Sequence, residues 1–154
     1  MPTPLPINRV YLAHSHSEPV PGLAPGELFY LKNADGRRAI YRQSAGGLAQ
    51  SLTTEPAPGG GIGYGGGAFA VQDNLLVFAA KDGRLYGLDL TTGRQWPLSP
   101  AYEGVAAPAI APGGRLVAFL AEQDGVCNVL LVEASGRQLP VKLSNDPWYA
   151  FNPV

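Results

Sequence analysis

Gly59–Val71 reads GGGIGYGGGAFAV, and the interpretation of this stretch decides the fold. Seven of its thirteen residues are glycine, and it closes on a short run with strand character, Ala68 to Val71. Two readings compete. A formal G-x-G-x-x-G lies at Gly61, Gly63 and Gly66, the spacing of a dinucleotide-binding turn. Such a turn must follow a strand and open a helix, whose N-terminal amides and dipole hold the pyrophosphate. Here Pro56 and Pro58 precede the glycines, a strand-like run follows them, and no Walker-type Lys-Ser/Thr pair is present. The glycines therefore read as punctuation between units of a repeat, and no nucleotide or other cofactor is expected.

Working outward, the chain repeats itself. Pro21 to Gly26 (PGLAPG), followed after Glu27 by LFYL, returns as Pro108 to Gly113 (PAIAPG), followed after Gly114 and Arg115 by LVAF. Both proline pairs, Pro21/Pro108 and Pro25/Pro112, are 87 residues apart, enough for two units. Gly67–Val71 with Leu75–Phe78 fills the middle position, 46 residues after Pro21. Each unit shows the same order. A small-residue strand leads to an apolar strand (Leu28–Leu31, Leu75–Ala79 or Leu116–Leu120) and then a polar turn ending in Asp-Gly. A third strand and a Gly-containing turn follow, and the fourth strand ends at Leu52-Thr53, Leu98-Ser99 or Leu143-Ser144. Asp-Gly between apolar runs is a strong hairpin signal. Leu116–Gln123 (LVAFLAEQ) also fits a short helix, but it lacks an N-cap and matches two sister runs flanked by hairpin turns.

Four strands in about 41 to 46 residues is the arithmetic of a propeller blade. The expected fold is all-β and β-propeller-like, with about three four-stranded blades plus the start of a fourth. The expected units are a lead-in over residues 1–20 with one strand at Ile7–Ala13, then blades over 21–66, 67–107 and 108–152. Residues 153–154 start a further blade.

Composition agrees. The 154 residues are 45% hydrophobic and 15% charged, which excludes a disordered tail, and no apolar run is long enough for a transmembrane helix. Twenty glycines and fifteen prolines alternate with compact Leu, Val, Phe and Tyr runs, as short strands between turns require. A net charge of −1 gives no electrostatic reason to expect nucleic acid or an anionic membrane surface. The single cysteine, Cys127, excludes an internal disulfide. With no basic and apolar leader at the start, a cytoplasmic location is the expectation.

At this level the chain resembles the propellers of the prolyl oligopeptidase family of serine peptidases. Tyr64 to Val71 (YGGGAFAV) is similar to that family's YGGGA segment. Ala24 to Gly26 (APG) and Ala111 to Arg115 (APGGR) look like weakened forms of its S-P-D-G-R blade motif, which TolB-like propellers share. Asp146 to Tyr149 (DPWY), with Phe151 to Pro153 (FNP), is similar to its D-F-Y-x-x-P segment. The resemblance implies a catalytic Ser-Asp-His triad in a separate α/β-hydrolase domain. This chain has no G-x-S-x-G nucleophile turn, so no catalytic residue is assigned within it. The expectation is a non-catalytic portion of a larger peptidase, gating short peptides. The alternative is a free-standing TolB-like module binding protein or carbohydrate.

Individual residues add a few candidates. His14 and His16 would share one side of a strand, but two imidazoles make an incomplete metal site, so a solvated loop is expected and no metal is assigned. Cys127 lies beside an apolar run and reads as a small buried hydrophobe. Crossovers between blades share one face of a propeller, and Tyr64, Tyr102, Glu103, Trp148 and Tyr149 fall in or beside them. An aromatic rim with one carboxylate suits peptide contact; the competing reading has these rings packing between blades. In the resembling family such a face looks toward the catalytic domain. Three units cannot close a ring, so self-association of the chain is also expected.

Overall fold

A computed structural model describes residues 14–62 and 66–144 of the chain. Among them all regular structure is β, in three four-stranded antiparallel sheets with no helix. The first contains β1 (Ser15–Pro21), β2 (Leu28–Ala34), β3 (Arg37–Gln43) and β4 (Gln50–Ser51). The second contains β5 (Phe69–Gln72), β6 (Leu75–Ala79), β7 (Leu85–Asp89) and β8 (Gln95–Pro97). The third contains β9 (Gly104–Ile110), β10 (Leu116–Gln123), β11 (Val126–Glu133) and β12 (Val141–Lys142). Within each sheet the strands lie side by side in chain order, as in a propeller blade. The chain divides into two compact units, Met1–Ala57 with the first sheet and Pro58–Val154 with the other two. Leu116–Gln123, the run with a helical alternative, is β10, paired along its whole length from Leu116↔Glu133 to Gln123↔Val126.

The turns follow from local chemistry. Asp35-Gly36 and Asp124-Gly125 each join two strands directly, with φ of 53° and 77° in the first and 52° and 71° in the second. Left-handed residues at both turn positions match the strand twist, and Asp-Gly tolerates them at little cost. Asp82-Gly83 departs from this pattern. Five residues, Ala80 to Arg84, separate β6 from β7, and only Gly83 has positive φ (80°). The wider turn is closed by Ala80 N–H to Arg84 O (2.9 Å) and Gly83 N–H to Ala80 O (3.1 Å).

The start of the first sheet needs correcting. Ser15–Pro21 is a strand, not a loop, so the sheet begins six residues before Pro21, inside the expected lead-in. Prolines are tolerated here because β1 is an edge strand with a bulge. Glu18 and Pro19 together face the single residue Tyr30, and Glu18 has φ of 54°. β9 repeats the device: Ala107 and Pro108 face Phe119, and Ala107 has φ of 50°. Pro19 and Pro108 are therefore structural equivalents, 89 residues apart, two more than the motif spacing suggests. The third sheet likewise starts upstream of its motif, at Gly104. Bulge register, not proline spacing, sets the equivalence.

Each sheet ends on one recurrent clamp. Leu52, Leu98 and Leu143 donate their N–H groups to the carbonyls of Ile40, Leu85 and Val129, at 2.8, 2.7 and 2.8 Å. The next residue, Thr53, Ser99 or Ser144, accepts through its hydroxyl the N–H of that same strand residue, at 2.9, 3.0 and 2.9 Å. The hydroxyl thus replaces a partner that the short outer strand does not reach. Thr53 and Ser99 are buried. Thr53→Val and Ser99→Ala should each cost about 1–3 kcal/mol, because a buried amide is left unpaired. Urea unfolding checks this, and a loss below about 0.5 kcal/mol in both variants would show that the clamp is dispensable.

In the second unit, Val77, Ala79, Leu85 and Leu98 of the second sheet pack on Val105, Val117, Phe119, Leu130 and Val132 of the third. Trp96 crosses the same seam, its indole N–H donating to Ala134 O at 2.9 Å. In the first unit, the buried carboxylate of Glu27 holds the Arg42 guanidinium and ties the β1–β2 connection to β3.

Candidate functional site

Of the five rim candidates, Tyr102 and Glu103 are among the described residues; Tyr64, Trp148 and Tyr149 lie outside them. Tyr102 and Glu103 occupy the crossover between β8 and β9, and backbone hydrogen bonds hold both. Tyr102 N–H donates to Gly83 O in the β6–β7 turn (2.9 Å), and Glu103 N–H donates to Glu122 O near the end of β10 (3.1 Å). The crossover therefore lies between the two turns at this end of the unit. Gly83 permits the approach: a Cβ there would run into the Tyr102 carbonyl oxygen, far inside van der Waals contact.

The two side chains have different environments. The half-buried Tyr102 ring rests tilted on Phe119, with centroids 6.2 Å apart at 57°. Burial pushes its hydroxyl pKa up, so it stays a neutral donor at ordinary pH. Glu103 is exposed. The structure brings these two together as sequence neighbours and gives Tyr102 a packing role, with only part of the ring open to a ligand.

A neighbouring cluster carried no signal in the motif reading. Asp82 accepts the Tyr86 hydroxyl at 2.8 Å and the Arg84 backbone N–H at 3.1 Å, and its carboxylate lies 3.4 Å from the Arg84 guanidinium. The Tyr86 ring stacks on Phe78 at 5.6 Å. Burial, then the bond to Asp82, raises the Tyr86 pKa. The spacing Asp82, Arg84, Tyr86 follows strand alternation and could have been noticed. Together with Glu103 this end of the unit presents carboxylates, a guanidinium and a phenol hydroxyl, groups suited to polar contacts with a ligand.

Other candidate chemistry resolves simply. Cys127 is buried, and its pKa is raised by that burial and then by Glu122, opposite to what a thiolate nucleophile needs. His14 Nε2 lies 3.9 Å from Asp35 Oδ1, and the His16 ring tilts against Tyr30 at 5.5 Å. Among the described residues no three His, Cys, Asp or Glu side chains gather at metal-binding distance.

Sheets of four strands in blade order, each closed by the strand-ending clamp, define a β-propeller segment. No protein-family profile matches the sequence, and no curated protein is significantly similar to it. Solved structures match in fold. TolB from Acinetobacter baumannii has a TM-score of 0.62 at 17% identity, over 76% of this chain and 29% of that one. A puromycin-hydrolyzing peptidase from Mycobacterium tuberculosis has a TM-score of 0.69 at 22% identity, over 87% of this chain and 23% of that one. An oligogalacturonate lyase in complex with manganese has a TM-score of 0.59 at 16% identity, over 80% of this chain and 38% of that one. The matches thus span between about a quarter and two-fifths of those chains.

Proposed function

We propose that the chain is a non-catalytic propeller module that works beside a separate α/β-hydrolase domain, in a cytoplasmic setting, and restricts access to short peptides. The observation that carries this reading is the match to the puromycin-hydrolyzing peptidase over 87% of this chain. The YGGGA-type segment at Tyr64 and the aromatic segment at Trp148 and Tyr149 support it. In this reading Glu103 meets the positive amino end of a peptide, Tyr102 and Tyr86 offer ring edges, and Tyr64, Trp148 and Tyr149 complete the rim. The module holds and sorts substrate, and bond cleavage belongs to the partner domain.

The test is an assay of the purified chain with short chromogenic peptides. No turnover is expected, while weak, salt-sensitive peptide binding should fall several-fold in Glu103→Lys with the fold retained. Turnover abolished by a serine-directed inhibitor would overturn the non-catalytic assignment. The second reading, a TolB-like binding module, is favoured by the TolB match. It predicts capture of a folded protein or carbohydrate and indifference to short peptides.

A further inference from the structure

The clamps give each sheet an anchor pair from which the length of its central hairpin can be measured. Ile40, Leu85 and Val129 each give an N–H to the clamping hydroxyl. Their cross-strand partners are Leu31, Ala79 and Leu120. In the first and third sheets eight residues, 32–39 and 121–128, lead from one anchor to the other, and three further pairs form before the Asp-Gly turn. In the second sheet only five residues do so, 80–84. Three residues fewer, shared between two arms, leave its tip roughly 5 Å short of the third sheet's tip, at about 3.4 Å per residue. The crossover from β8 to β9 uses this step. Tyr102 N–H donates to Gly83 O at 2.9 Å, which brings Glu103 directly beside the shortened tip.

The step is charged on both sides. The shortened turn carries Lys81, Asp82 and Arg84, all exposed. Asp82 is engaged internally, accepting the Tyr86 hydroxyl and the Arg84 backbone N–H. Tyr86 stacks on Phe78, which is fully buried, so this carboxylate is rooted in the core. It holds the Arg84 guanidinium through Nη1 at 3.4 Å, and that side chain is still 45% exposed. A guanidinium has five N–H donors, so Arg84 keeps further donors for a ligand. Lys81 and Glu103 take part in no ion pair with a described residue. Opposite charges thus stand near one another without cancelling. Gly83 and Tyr102, as hydrogen-bonded neighbours, are about 5 Å apart at Cα. Arg84 and Glu103 each lie one residue further on, about 3.8 Å per step, so their Cα atoms are within about 13 Å.

We propose that this step is a subsite for the carboxylate end of a short peptide, with Arg84 and Lys81 holding the carboxylate while Glu103 holds the amino end. The proposal rests on the gating reading above and adds to it a means of choosing by length. An extended peptide of about three to five residues spans such a distance at roughly 3.4 Å per residue. The interior of a longer chain has no carboxylate end to place there. Arginine pairs with a carboxylate through parallel N–H bonds, and a guanidinium already held on Asp82 loses less freedom when it does so. An inorganic anion would meet the same cations but would be repelled by Glu103, so the site favours a ligand carrying both charges.

The test is a nuclear magnetic resonance titration of the whole chain with tetra-alanine, its C-terminal amide and its N-acetyl form, at low salt where exposed charges are least screened. Amidation should weaken binding about five-fold in the unaltered protein. It should have no effect in the double substitution Lys81→Gln with Arg84→Gln, which should bind the free acid as weakly as the unaltered protein binds the amide. Lys81→Gln alone, at an exposed and unpaired residue, should already shrink the amidation effect with the unfolding midpoint unchanged. Arg94→Gln, beyond the other end of β7, should leave all three affinities as they were. Equal affinity for acid and amide would overturn the proposal, and so would an amidation effect that persists in the double substitution. Sensitivity to N-acetylation without sensitivity to amidation sinks this subsite and leaves the gating reading standing. No affinity for any of the three peptides ends both.

Discussion

Gly83→Ala should destabilise the protein by about 3 kcal/mol or more and displace the crossover that carries Tyr102 and Glu103. Two costs add. Gly83 has φ of 80°, a conformation that costs a residue with a Cβ about 1–2 kcal/mol. The new Cβ would also collide with the Tyr102 carbonyl, which is backbone and cannot rotate aside. Relief requires moving the β6–β7 turn or the crossover, and either breaks the Tyr102 N–H bond to Gly83 O. Gly93 is the control. It has φ of 71°, but nothing lies within 4 Å of its Cβ position, so Gly93→Ala should cost only the conformational part. Denaturant unfolding measures both variants, and near-ultraviolet circular dichroism should register the altered Tyr102 environment in Gly83→Ala alone. Equal losses in the two would show that the close approach does not constrain the crossover.

Phe119→Ala should cost about 3–5 kcal/mol, since it removes a fully buried ring from the seam between two sheets. For a chain of this size the thermal midpoint should fall by on the order of 10 °C. Tyr102 rests on this ring, so the substitution should also loosen the crossover and lower any peptide affinity. Phe119→Leu keeps most of the volume and should lose less than half as much. A loss below about 1 kcal/mol in Phe119→Ala would place the ring outside the core of the unit.

The strands and most turns were legible in the sequence because their causes are local. Apolar alternation marks one covered face, and Asp35-Gly36 and Asp124-Gly125 carry residues that accept left-handed turns cheaply. The Leu-Ser/Thr strand endings were visible as a repeat, although their hydrogen-bonding role was not. Two features were illegible for a common reason. The bulge at Glu18-Pro19 puts glutamate at positive φ, which no local preference of that residue announces. The Asp82-Gly83 turn is wider than its two sisters, and in it Gly83 accommodates a crossover about twenty residues further along the chain. Of the candidate site, Tyr102 and Glu103 were found by position. The Asp82, Arg84 and Tyr86 cluster was missed because its members belong to a turn and a strand that were read separately.

By itself, then, the sequence determined an all-β chain of repeating four-stranded units, the places where those strands end, and the absence of a G-x-S-x-G nucleophile turn. Only the tertiary structure decided the bulge register that makes Pro19 the equivalent of Pro108, the packing of Tyr102 on Phe119, and which apolar face is covered. The division has a physical cause. Turn and strand preferences act over a few residues, whereas register and burial depend on partners far apart in the chain, such as Trp96 and the Ala134 carbonyl. Leu98 and Leu143 have the same local sequence signal; one is covered by a sheet and the other lies open.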